Sequence, residues 1–206
     1  NGTVDVKQQK AAFKEFTKFE NSALSDIPLY YQQLFIYESN RLNRNGGQYG
    51  NDQFVYDWGI VDWTVEPDAN GKSVMYTNTA PSTFFDHPWL NPGIYAFSKV
   101  GLDRLMTADG ALVPTEGQLA KSVDVADDGM SVTFELKDGL KWHDGVDLTA
   151  EDIVWSIETA KTVPGINAVF SSTFDAISDM SIDGNKITIT FGTLDPNMLL
   201  TFSQFA

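Results

Sequence analysis

Val132-Thr133-Phe134-Glu135-Leu136-Lys137-Asp138-Gly139-Leu140-Lys141-Trp142-His143-Asp144-Gly145, with Leu148-Thr149-Ala150-Glu151-Asp152-Ile153-Val154-Trp155-Ser156 close behind, is the stretch on which the fold turns. Val132, Phe134 and Leu136 alternate with Ser131, Thr133 and Glu135, the period of a half-buried strand, and Asp138-Gly139 predicts a two-residue hairpin turn after it. Thr149 and Asp152 form a capping pattern for a helix carrying Ile153, Ile157 and Ala160 on one face. Pro164-Gly165 ends that helix.

Working outward, Met180 and Ile182, the turn Asp183-Gly184-Asn185, and Ile187, Ile189 and Phe191 in alternation predict a second hairpin. Asp195 before Pro196 predicts a helix with an aspartate cap and proline at its first position. At the other end, Ala12, Phe16, Phe19 and Ala23 recur at helical spacing, and Asp5 with Gln8 supplies a capping box. Phe13, Phe16, Phe134 and Phe191 read as core aromatics. Pro28 stops the first helix, residues 29–37 are apolar and aromatic enough for a buried strand, and 45–51 and 66–72 are loops by composition. The second of these is the more polar break. Between them lies the aromatic-dense segment 54–63. A short strand over 73–77, a proline-enforced loop and a helix over 93–106 follow. Helices mixed with hairpins make the fold class α/β (mixed α+β) and not a β-sandwich.

The chain has 206 residues, 42% of them hydrophobic and 13% aromatic, enough to build one core and to exclude disorder. Its 14 Lys+Arg against 28 Asp+Glu leave a net charge of −14, which repels a phosphate backbone or an anionic membrane, so no nucleic-acid partner is expected. The densest basic grouping, Arg41 with Arg44, reads as a solvated turn. Absence of cysteine removes disulfides, thiolate nucleophiles and Cys-ligated metals. No run reaches the roughly 18 apolar residues of a membrane span. Opening on Asn1-Gly2-Thr3, the chain reads as a mature or trimmed one with no signal peptide.

Chemical motifs are few. Asp124 to Glu135 has the glycine and the last glutamate of a calcium loop, but Ala126 and Val132 occupy ligand positions, so an Asp-Gly turn entering a hairpin is expected instead. His87 and His143 are 56 positions apart with no serine signature, and His143 is expected to anchor a turn through hydrogen bonds. Gly46-Gly47 and Gly50 are not followed by a phosphate-binding helix. No metal and no cofactor are expected. The positive signal is aromatic: Trp58, Trp63, Phe84, Phe85 and Trp89 fall in irregular segments, where aromatic side chains suit the walls of a ligand cleft.

Residues 119–160, including Leu119-Ala120-Lys121-Ser122 and Asp127-Asp128-Gly129 with the opening stretch, closely resemble the extracytoplasmic solute-binding proteins of ABC importers, family 5, the oligopeptide-, dipeptide- and nickel-binding class. Residues 72–118 resemble that family's amino-terminal strand and first helix, and 173–206 its next hairpin and helix. Residues 1–44, with Ile27-Pro28-Leu29-Tyr30-Tyr31, resemble its carboxy-terminal part. The tail therefore precedes the head. The resemblance implies one lobe of a type II periplasmic-binding-protein-like fold spanning 1–206, a mixed sheet with flanking helices and hairpins. It is circularly permuted: 1–65 from the carboxy-terminal segment, 66–72 the joint, and 73–206 from the amino-terminal segment. Engineering is the favoured explanation of that order, a natural fragment the other.

What the resemblance implies for function is non-catalytic binding of a peptide, or of another small solute, for delivery to a membrane ABC permease. The parent protein is expected outside the cytoplasm, in the periplasm or at the cell surface. Thr79, Ala80, Pro81, Phe84 and Phe85 are expected to face the cleft, with Trp58 and Trp63 as weaker candidates and His87 and Trp89 flanking the opening. Without the missing second lobe, binding is expected to be weak or absent, and the exposed lobe surface is expected to favour a homodimer. The alternatives are an acidic extracellular hydrolase acting on glycans, since 28 acids allow many carboxylate pairs, and a scaffold fragment with no ligand.

Overall fold

The computed structural model describes residues 3, 5–24, 39–45, 63–75, 101–108, 113–163 and 167–205. Those residues form α1 (Val6–Ala23), β1 (Leu42–Asn43), β2 (Thr64–Val65), β3 (Met106–Ala108), β4 (Pro114–Gly117), β5 (Ala120–Val125), β6 (Ser131–Leu136), α2 (Ala150–Thr162), α3 (Asn167–Phe174), β7 (Ile177–Asp183), β8 (Lys186–Phe191) and α4 (Met198–Gln204). The content is mixed α/β, as expected, and every ladder among the described residues is antiparallel.

The centre is a four-stranded sheet in the order β5-β6-β8-β7. Its pleat sends Val132, Phe134 and Leu136 of β6 and Ile187, Ile189 and Phe191 of β8 to one buried face. The opposite face is polar: the Thr133 and Thr188 hydroxyls meet at 2.9 Å, and Glu135 accepts from Lys121 Nζ at 3.2 Å. A sheet with one solvated side needs such alternation. The turn between Asp183 and Lys186 is as predicted, with Gly184 at φ +61°.

The first predicted hairpin is real but faces the other way. β6 pairs with β5, which precedes it, through the turn at 126–130, where Gly129 has φ +69° and donates to Ala126 O at 2.8 Å. Both edges of β6 are taken, by β5 and by β8, so the chain after Asp138-Gly139 cannot add a strand there and leaves the sheet. Asp124 and Glu135 thus lie on two paired strands, Asp124 opposite Thr133, with the Asp-Gly turn between.

Helix α2 is bounded as its capping residues predict. Asp152 Oδ2 accepts from the Thr149 amide at 2.9 Å and from Trp142 Nε1 at 3.3 Å, tying the preceding loop to the helix start. Ala150, Ile157 and Ala160 are buried, and Ile153 packs against them. Asp152→Ala is expected to lower stability by about 1 kcal/mol, read as a drop in Tm, with Asp152→Asn recovering part of it.

Helix α3 has no counterpart among the predicted elements. Its Phe174 is fully buried, 4.9 Å from Phe205 in an edge-on pair, and Phe170 meets Phe205 at 5.6 Å. The last helix begins later than expected, at Met198 and not at Pro196. Asp195 is buried and its carboxylate has two partners, the Thr173 hydroxyl and the Asn197 amide at 2.8 Å. Since Thr173 donates its one proton to Asp195, Thr201, 2.7 Å away, donates to Thr173. This polar bridge joins α3 to α4 inside the core.

Three further expectations change. The helix predicted over 93–106 has ended by Gly101, because Leu105 and Met106 are buried at the start of β3, which pairs with β4. Residues 73–75 form no strand. Helix α1 forms with Asp5 accepting from the Lys7 and Gln8 amides at 2.8 and 3.0 Å, yet none of its residues is buried. Phe13 and Phe16 are therefore not core, at 70% and 53% exposed, whereas Phe134 and Phe191 are. Helical period identifies a shared face, and burial needs an element to cover it. The strand predicted over 29–37, the loop predicted over 46–51 and the part of the predicted helix at 93–100 lie outside the described residues.

Candidate functional site

Of the seven residues expected to touch a ligand, Trp63 is described, while Trp58, Thr79, Ala80, Pro81, Phe84 and Phe85 lie outside the described residues, as do His87 and Trp89. Trp63 is half-buried just before β2, with the Arg44 guanidinium carbon 4.5 Å from its ring centroid. That geometry is a cation–π contact.

The two arginines do more than decorate a solvated turn. Arg41 Nε donates to Glu66 O at 2.9 Å and Nη2 to Lys72 O at 3.1 Å, so one guanidinium clasps both ends of the polar break. Inside that break Asp68 Oδ1 accepts from the Asn70 and Lys72 amides, at 2.8 and 2.9 Å. Those backbone donors, Lys72 first, hold the Asp68 carboxyl below the usual carboxylate range. The 66–72 segment is a braced turn, and sequence composition carried no sign of the bracing.

A cavity of about 440 Å³ opens elsewhere, between the segment 101–105, the loop 140–148 and helix α2. Its apolar lining comes from Leu105, Leu119, Leu140, Leu148, Ile153, Ile157 and Phe205, and Trp142 and Trp155 stand at it as exposed aromatic walls. Arg104 also lines it, only 6% exposed, and its Nε has no hydrogen-bond partner among the described residues. Burial pushes the guanidinium down to about 10, with the neighbouring Asp103 charge acting in the opposite direction. It stays protonated at neutral pH. Asp103 is engaged elsewhere, its Oδ1 accepting from Gln118 Nε2 at 2.6 Å.

Trp63, the one predicted ligand-facing residue among the described residues, does not line this cavity. One signal was available: Asp103-Arg104 stands between Leu102 and the Leu105-Met106 pair, a charged dipeptide flanked by apolar residues. His143 is exposed at the rim within the predicted turn, but the bonds that hold the turn are Val146 N to Asp144 Oδ1 at 3.0 Å, Gly145 N to Trp142 O at 2.9 Å and Trp142 N to Val146 O at 2.8 Å. The turn-anchoring side chain is Asp144. Among the described residues no group of three or more His, Cys, Asp or Glu gathers to hold a metal, and no helix is long and apolar enough to cross a membrane. Glu135, the last residue of the partial calcium pattern, is held below the usual carboxylate range by the Lys121 hydrogen bond and charge, with the Lys186 charge acting more weakly in the same direction.

Comparison with known proteins gives a concordant result. Residues 115–206 match the profile described as bacterial extracellular solute-binding proteins, family 5 Middle. The chain is 35% identical over 101 residues to the dipeptide-binding protein of Lactococcus lactis subsp. cremoris, covering 42% of this chain and 18% of that protein. It is 33% identical over 94 residues to the oligopeptide-binding protein OppA of Bacillus subtilis, covering 43% and 16%. Among solved structures, NikZ from Campylobacter jejuni in complex with Ni(L-His) aligns at 31% identity and a TM-score of 0.44, over 50% of this chain and 20% of that one. The chain spans less than a fifth of the length of both curated relatives.

Proposed function

We propose, from the premise that residues 115–206 belong to the bacterial extracellular solute-binding proteins of family 5, that this chain is a non-catalytic solute-binding element of an ABC importer, with peptides as its solute class. The observation that carries the reading is the family match over β4 to α4, the part of the chain that holds its sheet and core. The dipeptide- and oligopeptide-binding relatives favour peptides over other small solutes.

Such a protein works outside the cytoplasm and hands its solute to a membrane permease. On this reading residues 1–65 supply the family's carboxy-terminal segment, the braced turn at 66–72 is the joint, and 73–206 supply the amino-terminal segment. One lobe covers part of an extended solute, which forfeits apolar burial at roughly 25 cal/mol per Å². Binding by this lobe alone is therefore weak until a second lobe closes over the solute, and self-association through the uncovered surface competes with it.

Thr79, Ala80, Pro81, Phe84 and Phe85 form the cleft wall in this proposal, with Trp58 and Trp63 beside them. The test is a thermal melt with a panel of short peptides and oligosaccharides, because a ligand that prefers the folded state raises Tm by mass action. A peptide-specific rise is expected. Phe84→Ala is expected to remove that rise and leave the ligand-free Tm unchanged; a fall in the ligand-free Tm would return Phe84 to the core. A rise with oligosaccharides alone would overturn the peptide assignment.

A further inference from the structure

We infer that the cavity beside Arg104 is a binding site for a small organic carboxylate, with Arg104 receiving the carboxylate and Trp142 and Trp155 contacting the apolar remainder of the ligand. The inference stands on the cavity alone and is independent of the peptide-cleft reading above, whose wall lies in other residues.

Arg104 carries an unbalanced charge. Arg104 is more than nine-tenths buried, its main chain is tied down by Arg104 N to Gln118 Oε1 at 3.0 Å and by Leu119 N to Arg104 O at 2.9 Å, and Nε has no partner among the described residues. A buried charge without a counter-ion is strongly unfavourable, and a guanidinium offers its N–H groups in a fork that matches a carboxylate. Asp103, whose charge acts on the guanidinium, is bonded to Gln118 and forms no ion pair with Arg104 among the described residues. Lys141, the other cation at the cavity, is already paired with Asp147.

The rest of the lining selects the ligand. A bare phosphate or sulfate would be desolvated against the leucine and isoleucine floor with nothing gained, and it would leave most of about 440 Å³ unfilled. A monocarboxylate with an aliphatic or aromatic body satisfies the guanidinium and fills the remainder. Cavities of this size with an apolar lining and one convergent charge are the usual form of small-ligand sites.

The carboxylate could belong to a free acid or to the end of a peptide, and calorimetry on the full chain separates the two. Phenylacetate is compared with phenylacetamide, and glycyl-phenylalanine with its carboxy-terminal amide. Saturable binding of an acid, at least tenfold tighter than its amide, is expected. A response to phenylacetate assigns a free-acid site, and a response to the dipeptide alone assigns a peptide end. Arg104→Met, with no side-chain hydrogen bond to lose among the described residues, is expected to keep the fold and weaken the acid at least tenfold. Equal binding of acid and amide, no saturable binding by either acid, or unchanged binding by a folded Arg104→Met variant would overturn the proposal. Should Arg104→Met fail to fold, Arg104→Lys decides: it keeps the charge without the planar fork, so weakened binding of the acid is expected and unchanged binding counts against Arg104 as receiver.

Discussion

Replacing Ile157 with aspartate is expected to cost several kcal/mol, enough to unfold much of the protein, whose whole stability is expected to be about 5–15 kcal/mol. Ile157 is 1% exposed, in the middle of α2, where the helix packs towards β7 and β8. The substitution removes a buried branched side chain and puts a carboxylate in its place. The side chains clustered around it are apolar, so the aspartate either ionises at the cost of desolvation or folds protonated, and any pairing with Arg104, which lines the same cavity, lowers that cost. Urea denaturation reads the result as a collapsed midpoint. Trp155→Ser, two residues away and 64% exposed in the wild type, is expected to change stability by no more than about 0.5 kcal/mol. A wild-type midpoint for Ile157→Asp would place the residue on the solvent face.

Phe134→Ala is expected to destabilise by about 3–5 kcal/mol, the range for emptying a buried aromatic site. Phe134 is fully buried on β6, with a sheet strand on either side, and its ring meets Phe202 of α4 edge-on at a centroid distance of 5.2 Å and 70° between planes. Strands on both sides hold the backbone in place, so the site cannot collapse to fill the void. The aromatic geometry adds about 0.5–1.5 kcal/mol beyond area, which a double-mutant cycle with Phe202→Ala would isolate. The denaturant slope is expected to stay constant, marking the loss as native-state packing. Strict additivity of the two substitutions would show that the rings do not interact.

Both predictions rest on features legible in the sequence: the 3.6-residue period that puts Ile153, Ile157 and Ala160 together, and the two-residue period that puts Val132, Phe134 and Leu136 together. Local chemistry was equally readable. Asp5, Asp152 and Gly184 act through backbone groups within a few residues of themselves, so their roles need no distant partner. Where distant partners decide, local rules misplace residues. Asp138-Gly139 has hairpin chemistry, but β8 already holds the edge of β6 that a following strand would need. Phe16 and Phe134 look alike as core candidates, and one lies under α4 while the other faces solvent. Asp195 has the sequence of a helix cap, yet Thr173, 22 positions earlier, shares its carboxylate and the helix starts later.

The candidate site divides in the same way. The family resemblance was legible because the matching residues are contiguous and mostly encode turns, caps and strand alternation, which short segments carry by themselves. The cavity at Arg104 was not, because its lining gathers Arg104, Leu119, Trp142, Ile153 and Phe205 from positions spread over a hundred residues. A charged side chain reads as exposed until the chain folds over it. The sequence by itself determined the strand alternation of 131–136 and 186–191, the capped helices at 6–23 and 150–162, which of their faces are apolar and which family the core segment resembles, since periodicity, capping and turn chemistry act over a few residues. Only the tertiary structure decided which apolar face is covered, which strand pairs with which, and that Arg104 is enclosed, because burial depends on pairings between residues far apart in the chain.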